Sequence, residues 1–235
     1  MGRWNDKVVP VLVDKMASSP EISALRKQVL STAHGDVLEI GFGSGLNLAH
    51  YPPSVTKIIA VEPSLKARRM AQQRMERDQP PVEFVGLDGQ NLPLANQSVD
   101  TVVSTFTLCT IPDPSKALSE AARVLKPGGQ IHILEHGLSA KRSAAKWQHR
   151  LSPVQEALFG GCHLDRQMEK LVEEAGYRLV FSNQRPLPGS IYLGNLYEII
   201  ASPKSPPPPP GGRGGGGAPV ILKSQLLVRP PARTK

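Results

Sequence analysis

The chain has 235 residues, 40% of them apolar and 5% aromatic, which is enough for one domain with its own core and short for two. Its formal net charge is +8, but six cations, Lys204, Arg213, Lys223, Arg229, Arg233 and Lys235, lie beyond Pro203 with no acid among them; the remainder is nearly neutral, so a nucleic-acid partner is not expected. Two cysteines make no disulfide framework and suit a reducing cytosol, and no run of 18 apolar residues supports a membrane span or a secretory signal.

In chain order, residues 1–34 read as a helical cap. Trp4, Val8, Val11 and Leu12 recur at helical spacing, and Pro20-Glu21-Ile22 opens a second helix ending near Leu30. Residues 35–202 then alternate between strand and helix. Strands are predicted at 37–40, 57–61, 82–85, 101–104 and 130–134, with helices near 46–50, 65–77, 114–125 and 167–175. Two late strands, near 177–182 and 191–201, complete seven. Such alternation calls for an α/β fold, a Rossmann-like, doubly wound, mostly parallel sheet covered on both faces.

Between the fifth strand and the helix near 167 lies an insertion, residues 137–166. Trp147, Leu151, Val154 and Leu158 share one helical face there. Pro153 is expected to interrupt the helix, with Ser152 as a fresh N-cap and Gln155 at the capping-box position. Two short helices meeting at a kink would form a lid over a substrate pocket, or only pack on the sheet. From residue 203 onward Pro206 to Pro210 and the glycines that follow predict a disordered tail.

The chemistry starts at the first strand, Val37-Leu38-Glu39-Ile40, which runs into Gly41-Phe42-Gly43-Ser44-Gly45. Without β-carbons in the way, a ligand can lie against main-chain N–H groups there. Leu46 stands where a dinucleotide fingerprint needs its third glycine, so the spacing leans away from NAD and toward S-adenosylmethionine. Glu62 ends the second strand, where a carboxylate accepts ribose hydroxyls, and Asp88 follows the third, where it can accept from an adenine amino group.

Val124-Leu125-Lys126-Pro127-Gly128-Gly129 before the fifth strand, Asp100-Thr101-Val102-Val103 at the fourth and Ile111-Pro112-Asp113-Pro114 after it resemble class I S-adenosylmethionine-dependent methyltransferases of the type 11 group over about residues 36–135. Thr105-Phe106-Thr107-Leu108-Cys109-Thr110, Leu134-Glu135-His136 and Gly161-Cys162-His163-Leu164-Asp165-Arg166 are similar to stretches of methyltransferase-like alkyl-thiol S-methyltransferases. The resemblance implies a cofactor site of Glu39, Gly41, Phe42, Gly43, Gly45, Glu62, Pro63, Asp88, Gly89 and Thr105. It implies a small, partly apolar methyl acceptor: a thiol, a lipid headgroup or a quinone-like ring.

His136 follows the fifth strand and is the candidate base at the open end of the sheet, or a loop histidine bonded to nearby backbone. Cys109, His136, Trp147 and Cys162 are the expected acceptor pocket. A metal site is not expected: Cys162 and His163 are adjacent, Cys109 is remote in sequence, and no Cys-x-x-Cys pair occurs. An NAD-dependent oxidoreductase and a catalytically silent cofactor-binding protein of the same fold are the competing readings.

Overall fold

The computed structural model describes residues 8–76, 78–187 and 194–204. Seven strands form one sheet: β1 Gly35–Ile40, β2 Val55–Val61, β3 Val82–Gly86, β4 Val99–Thr105, β5 Leu125–Gly137, β6 Tyr177–Pro186 and β7 Asn195–Pro203, in the order β3-β2-β1-β4-β5-β7-β6. The first five run parallel, while β7 is antiparallel to both β5 and β6. Strand order reverses between β1 and β4, and in open α/β sheets the crevice outside the carboxyl ends of the strands at such a switch point receives ligands.

The helices are α1 Val9–Ala17, α2 Pro20–Leu30, α3 Leu65–Gln72, α4 Pro114–Val124, α5 Arg142–Leu158 and α6 Met168–Glu174, with a short 3₁₀ turn at Leu48–His50. Three starts carry side-chain caps: Ser19, Ser64 and Asp113 accept from the N–H of Ile22, Ala67 and Lys116, and Pro20 and Pro114 fill the first turn. Successive residues of a strand point to opposite faces. Leu38 and Ile40 of β1 therefore pack with Leu118, Ala121, Met168 and Val172 of α4 and α6 on one side of the sheet. Val37 packs with Ile22, Leu25, Val29 and Ala71 on the other. Both faces are covered, as the continuous apolar strands require.

Several local expectations are corrected. The helix after β2 ends at Gln72 rather than 77, because Arg74 leaves the helical path to donate to the Ser44 carbonyl at 2.9 Å and to Asp14 at 3.1 Å. The stretch after the glycines makes only the 3₁₀ turn. Strand β5 starts at Leu125, and its glycine-containing segment sits inside it as an irregularity: Leu125 pairs with Val99, Gln130 with Thr101.

The insertion forms one helix, α5, with Pro153 inside it. Ser152 does not cap a second helix, since its hydroxyl accepts from the Leu164 N–H and donates to Asp165. The side of α5 that faces the protein is Ala144, Gln148 and Ser152, at offsets of four, while Trp147, Leu151, Val154 and Leu158 look outward. Gln148 explains the inversion. Fully buried, it accepts from Ser139 N–H and donates to the Gly137 and Leu164 carbonyls, satisfying three backbone groups at once. Pro203, where the tail is expected to begin, still belongs to β7, which pairs it with Tyr177 of β6; the rest of the tail from residue 205, the start of the first helix at Trp4 and the start of the last strand at 191–193 lie outside the described residues.

Candidate active site

A cavity of about 490 Å³ opens at the carboxyl ends of β1, β2 and β4, within the size range of small-molecule sites. Gly41, Phe42, Gly43, Glu62 and Pro63 line one side; Asp88, Gly89 and Thr105 continue the wall. Val9, Val13, Asp14 and Arg26 from the first two helices cover it, with Ile111 and Phe159 opposite.

Gly41 has φ +74°, and a β-carbon there would lie 2.0 Å from Thr107 Oγ1. Glycine is required both by the left-handed backbone and by this close approach. Gly43, φ +59°, is different: the nearest atom to a β-carbon would be the Gly41 carbonyl oxygen at 3.9 Å, so the space beside it is open to a ligand. Gly45 does not line the cavity; it packs toward Leu48 and Ala71.

Glu62 is 7% exposed and sits across from this loop. Its two oxygens accept from Gly43 N–H at 2.8 Å and Ser64 N–H at 2.7 Å. Each oxygen keeps a further lone pair, which suits a pair of ribose hydroxyls. Burial raises the Glu62 pKa, and the Ser64 and Gly43 N–H groups oppose that rise. Asp88 is held in a tight turn by the Gln90 side chain and N–H, which lower its pKa. The open glycine cradle and the two carboxylates at successive strand ends fit S-adenosylmethionine.

Beneath the loop runs a polar network that sequence reasoning only partly foresaw. Arg26, 4% exposed, donates from Nη1 to Asn47 Oδ1 at 2.7 Å and to Thr105 Oγ1 at 2.8 Å. Asn47 donates to Glu39 Oε1 at 2.8 Å, and Tyr51 donates to Glu39 Oε2 at 2.6 Å. Glu39 thus faces Asn47 and Tyr51 behind the loop and is not part of the cavity wall. Burial lifts its pKa to about 7 against the pull of Tyr51, Asn47 and Arg26. Arg26 is lowered to about 10, again by burial, and stays cationic at neutral pH. Its Nε is buried without a hydrogen-bond partner. The signal for Arg26 was present: it falls on the same helical stripe as the buried Ile22, Val29 and Leu30, where a cation has no place unless something pairs with it.

Past Thr105 the chain turns sharply, with Phe106 at φ +53° under the Arg26 guanidinium. That turn aims Thr107 N–H and Leu108 N–H at Glu135 Oε1, at 2.6 and 2.7 Å. Glu135 is fully buried, and its Oε2 meets no hydrogen-bond partner of good geometry. The structure brings Cys109, His136 and Cys162 together beside it, but sets none of them in the cavity wall. His136, paired with Leu196, is the penultimate residue of β5 and so stands at the carboxyl end of that strand, but it is not part of the cavity wall; its Nε2 lies 3.1 Å from Cys162 Sγ. The contact with Cys109 leads in lowering the Cys162 thiol, with His136 adding to it, against burial. Trp147 is half exposed on the outer face of α5, against Arg150, and belongs to no pocket wall described here.

Comparison with known proteins agrees with this geometry. The family model described as a methyltransferase domain (Methyltransf_11) matches residues 38–133. Thiol S-methyltransferase TMT1B of Rattus norvegicus is 36% identical over 156 residues, covering 65% of this chain and 64% of that protein, just under two thirds of its length. A phosphatidylethanolamine N-methyltransferase of Cereibacter sphaeroides is 30% identical over 161 residues, covering 67% of this chain and 77% of the relative. Among solved structures, a SAM-dependent methyltransferase from Aquifex aeolicus superposes with a TM-score of 0.56 at 19% identity, over 82% of this chain and 97% of that one. With the strand order, the glycine loop and the strand-end carboxylates, these similarities identify the chain as a member of the S-adenosylmethionine-dependent methyltransferase family.

Proposed function

We propose that this chain transfers a methyl group from S-adenosylmethionine to a small, partly apolar acceptor, a thiol before a lipid headgroup or a quinone-like ring. The observation that carries the reading is a single cavity that joins the glycine loop, Glu62 and Asp88 to a largely apolar cover of Val9, Val13, Ile111 and Phe159. The thiol preference draws on the similarity to TMT1B, and the lipid alternative on the phosphatidylethanolamine N-methyltransferase.

Bound S-adenosylmethionine supplies a methyl carbon on a positively charged sulfonium. Gly41 and Gly43 offer backbone against the ligand, Glu62 accepts the ribose hydroxyls, and Asp88 with Gly89 borders the base. Arg26, a buried cation that lines the cavity, puts positive charge on that wall, which suits a ligand carboxylate. The main contribution of such a site is to hold the acceptor at near-attack distance with water excluded, worth roughly 7–11 kcal/mol when orientation is good. A thiol acceptor needs little help to ionise, since a free thiol with a pKa of ~8.5 is already a few per cent thiolate at neutral pH. No general base is assigned to His136, which is engaged with Cys162. Two free, buried cysteines suit the cytosol as the working compartment.

The test is production of S-adenosylhomocysteine with panels of alkyl and aryl thiols, phosphatidylethanolamine vesicles and reduced quinones. Turnover with thiols above the other two supports the reading. Cofactor binding with no turnover on any panel would make this a silent member of the family.

A further inference from the structure

We propose that Cys109, His136 and Cys162 form a binding site for a soft divalent cation, zinc by the chemistry of its donors. The three residues come from separate parts of the chain. Cys109 follows β4, His136 is the penultimate residue of β5, and Cys162 lies in the segment after α5. The fold nevertheless brings one donor atom from each to within 4.8 Å of the other two. In a tetrahedral zinc site with Zn–S of about 2.3 Å and Zn–N of about 2.0–2.1 Å, donor atoms stand about 3.5–3.8 Å apart. A small contraction of the longer separations, and a slight opening of the 3.1 Å contact between His136 Nε2 and Cys162 Sγ, would bring the triangle to that size.

The surroundings favour an ion over simple packing. Both thiols are buried, at 2% and 7% exposure, and Cys109 lies against the fully buried Glu135 carboxylate. The facing cationic groups are His136 and Arg166, whose guanidinium is tied to the Leu108 carbonyl. Buried charges need partners, and a divalent ion neutralises two thiolates while Arg166 offsets Glu135. A disulfide would use only the two sulfurs, drawn to about 2.0 Å, and would leave the imidazole nitrogen aimed at sulfur without a purpose. Three protein donors leave the fourth position to a water or an added ligand, the arrangement of metal sites that do chemistry rather than only hold a fold.

The whole chain, purified, stripped with chelator and kept reduced, is titrated with Co²⁺ and then with Zn²⁺. The expected result is one equivalent of cobalt, with thiolate-to-cobalt charge-transfer absorption and strong visible bands, displaced by zinc. Cys109→Ser, Cys162→Ser and His136→Gln should each weaken cobalt binding by more than about 100-fold, beyond the usual loss from removing an outer-shell partner. Their far-ultraviolet circular dichroism identifies any variant that fails to fold. X-ray absorption of the zinc-loaded wild type gives a readout free of variants, with two sulfur and one nitrogen neighbours expected. The inference is overturned if the reduced protein shows no thiolate–cobalt bands at one equivalent, if the bands survive in the folded variants, or if the two cysteines are recovered as a disulfide that no metal prevents. No methyl acceptor enters this titration, so its outcome is independent of the proposed reaction.

Discussion

Glu39→Gln should flatten the pH dependence of stability between about pH 5 and pH 8. Glu39 is 1% exposed, and burial raises its pKa from 4.5 to about 7 despite hydrogen bonds from Tyr51 and Asn47 and the nearby Arg26 cation. The folded state therefore holds a proton through a range in which the unfolded chain has lost it. Stability rises with pH only where the unfolded state binds more protons; here the folded state binds more, so the contribution is fully present below 4.5 and is lost as pH climbs through about 7. That displacement corresponds to about 3 kcal/mol, or roughly 6–12 °C in melting temperature for a domain of this size. Glu62 and Glu135 are raised by burial as well, so the wild-type curve mixes all three. The difference between wild type and Glu39→Gln in urea unfolding at pH 5, 6, 7 and 8 isolates Glu39. The wild type should lose about 2–3 kcal/mol more than the variant over that range, since a little of the full effect falls below pH 5. Parallel curves would show that the carboxylate is already ionised in the folded protein and that the network beneath the glycine loop is mis-described.

Four further substitutions probe the site and its support. Gly41→Ala places a β-carbon 2.0 Å from Thr107 Oγ1 at φ +74° and should cost more than about 2 kcal/mol of stability, read by urea unfolding; a neutral result would mean that the loop has another conformation. Gln148→Ala leaves two buried carbonyls and the partly buried Ser139 N–H without their partner and should destabilise by about 2–4 kcal/mol, whereas Trp147→Ala on the outer face of the same helix should cost far less. Leu118→Ala, at a fully buried position facing α6 and the sheet, should lose about 2–5 kcal/mol in the same assay.

The sheet was legible because its strands are short apolar runs bounded by turn residues, and the interval between them fits a crossover helix. The three ligand features at the ends of β1, β2 and β3 follow from that register, and the structure sets Gly43, Glu62 and Asp88 around one cavity. What escaped the sequence depended on remote partners. Ser152-Pro153 carries the local pattern of a helix start, but Leu164 N–H and Asp165 claim the Ser152 side chain, and α5 continues. The apolar stripe through Trp147 points outward because one buried glutamine satisfies more backbone than that stripe could. Cys109, His136 and Cys162 have no spacing signature at all; only the pairing of β4 with β5, and the return of the chain after α5, brings them together.

The central claim is that the cavity binds an adenosyl cofactor through the glycine loop and Glu62. Calorimetric titration of the full chain with S-adenosylmethionine, S-adenosylhomocysteine and NADH, repeated on Glu62→Gln and Glu62→Ala, tests it most directly. Binding of both adenosyl ligands and not NADH is expected, weakened in each Glu62 variant. Tighter binding of NADH, or adenosyl binding indifferent to Glu62, would contradict it.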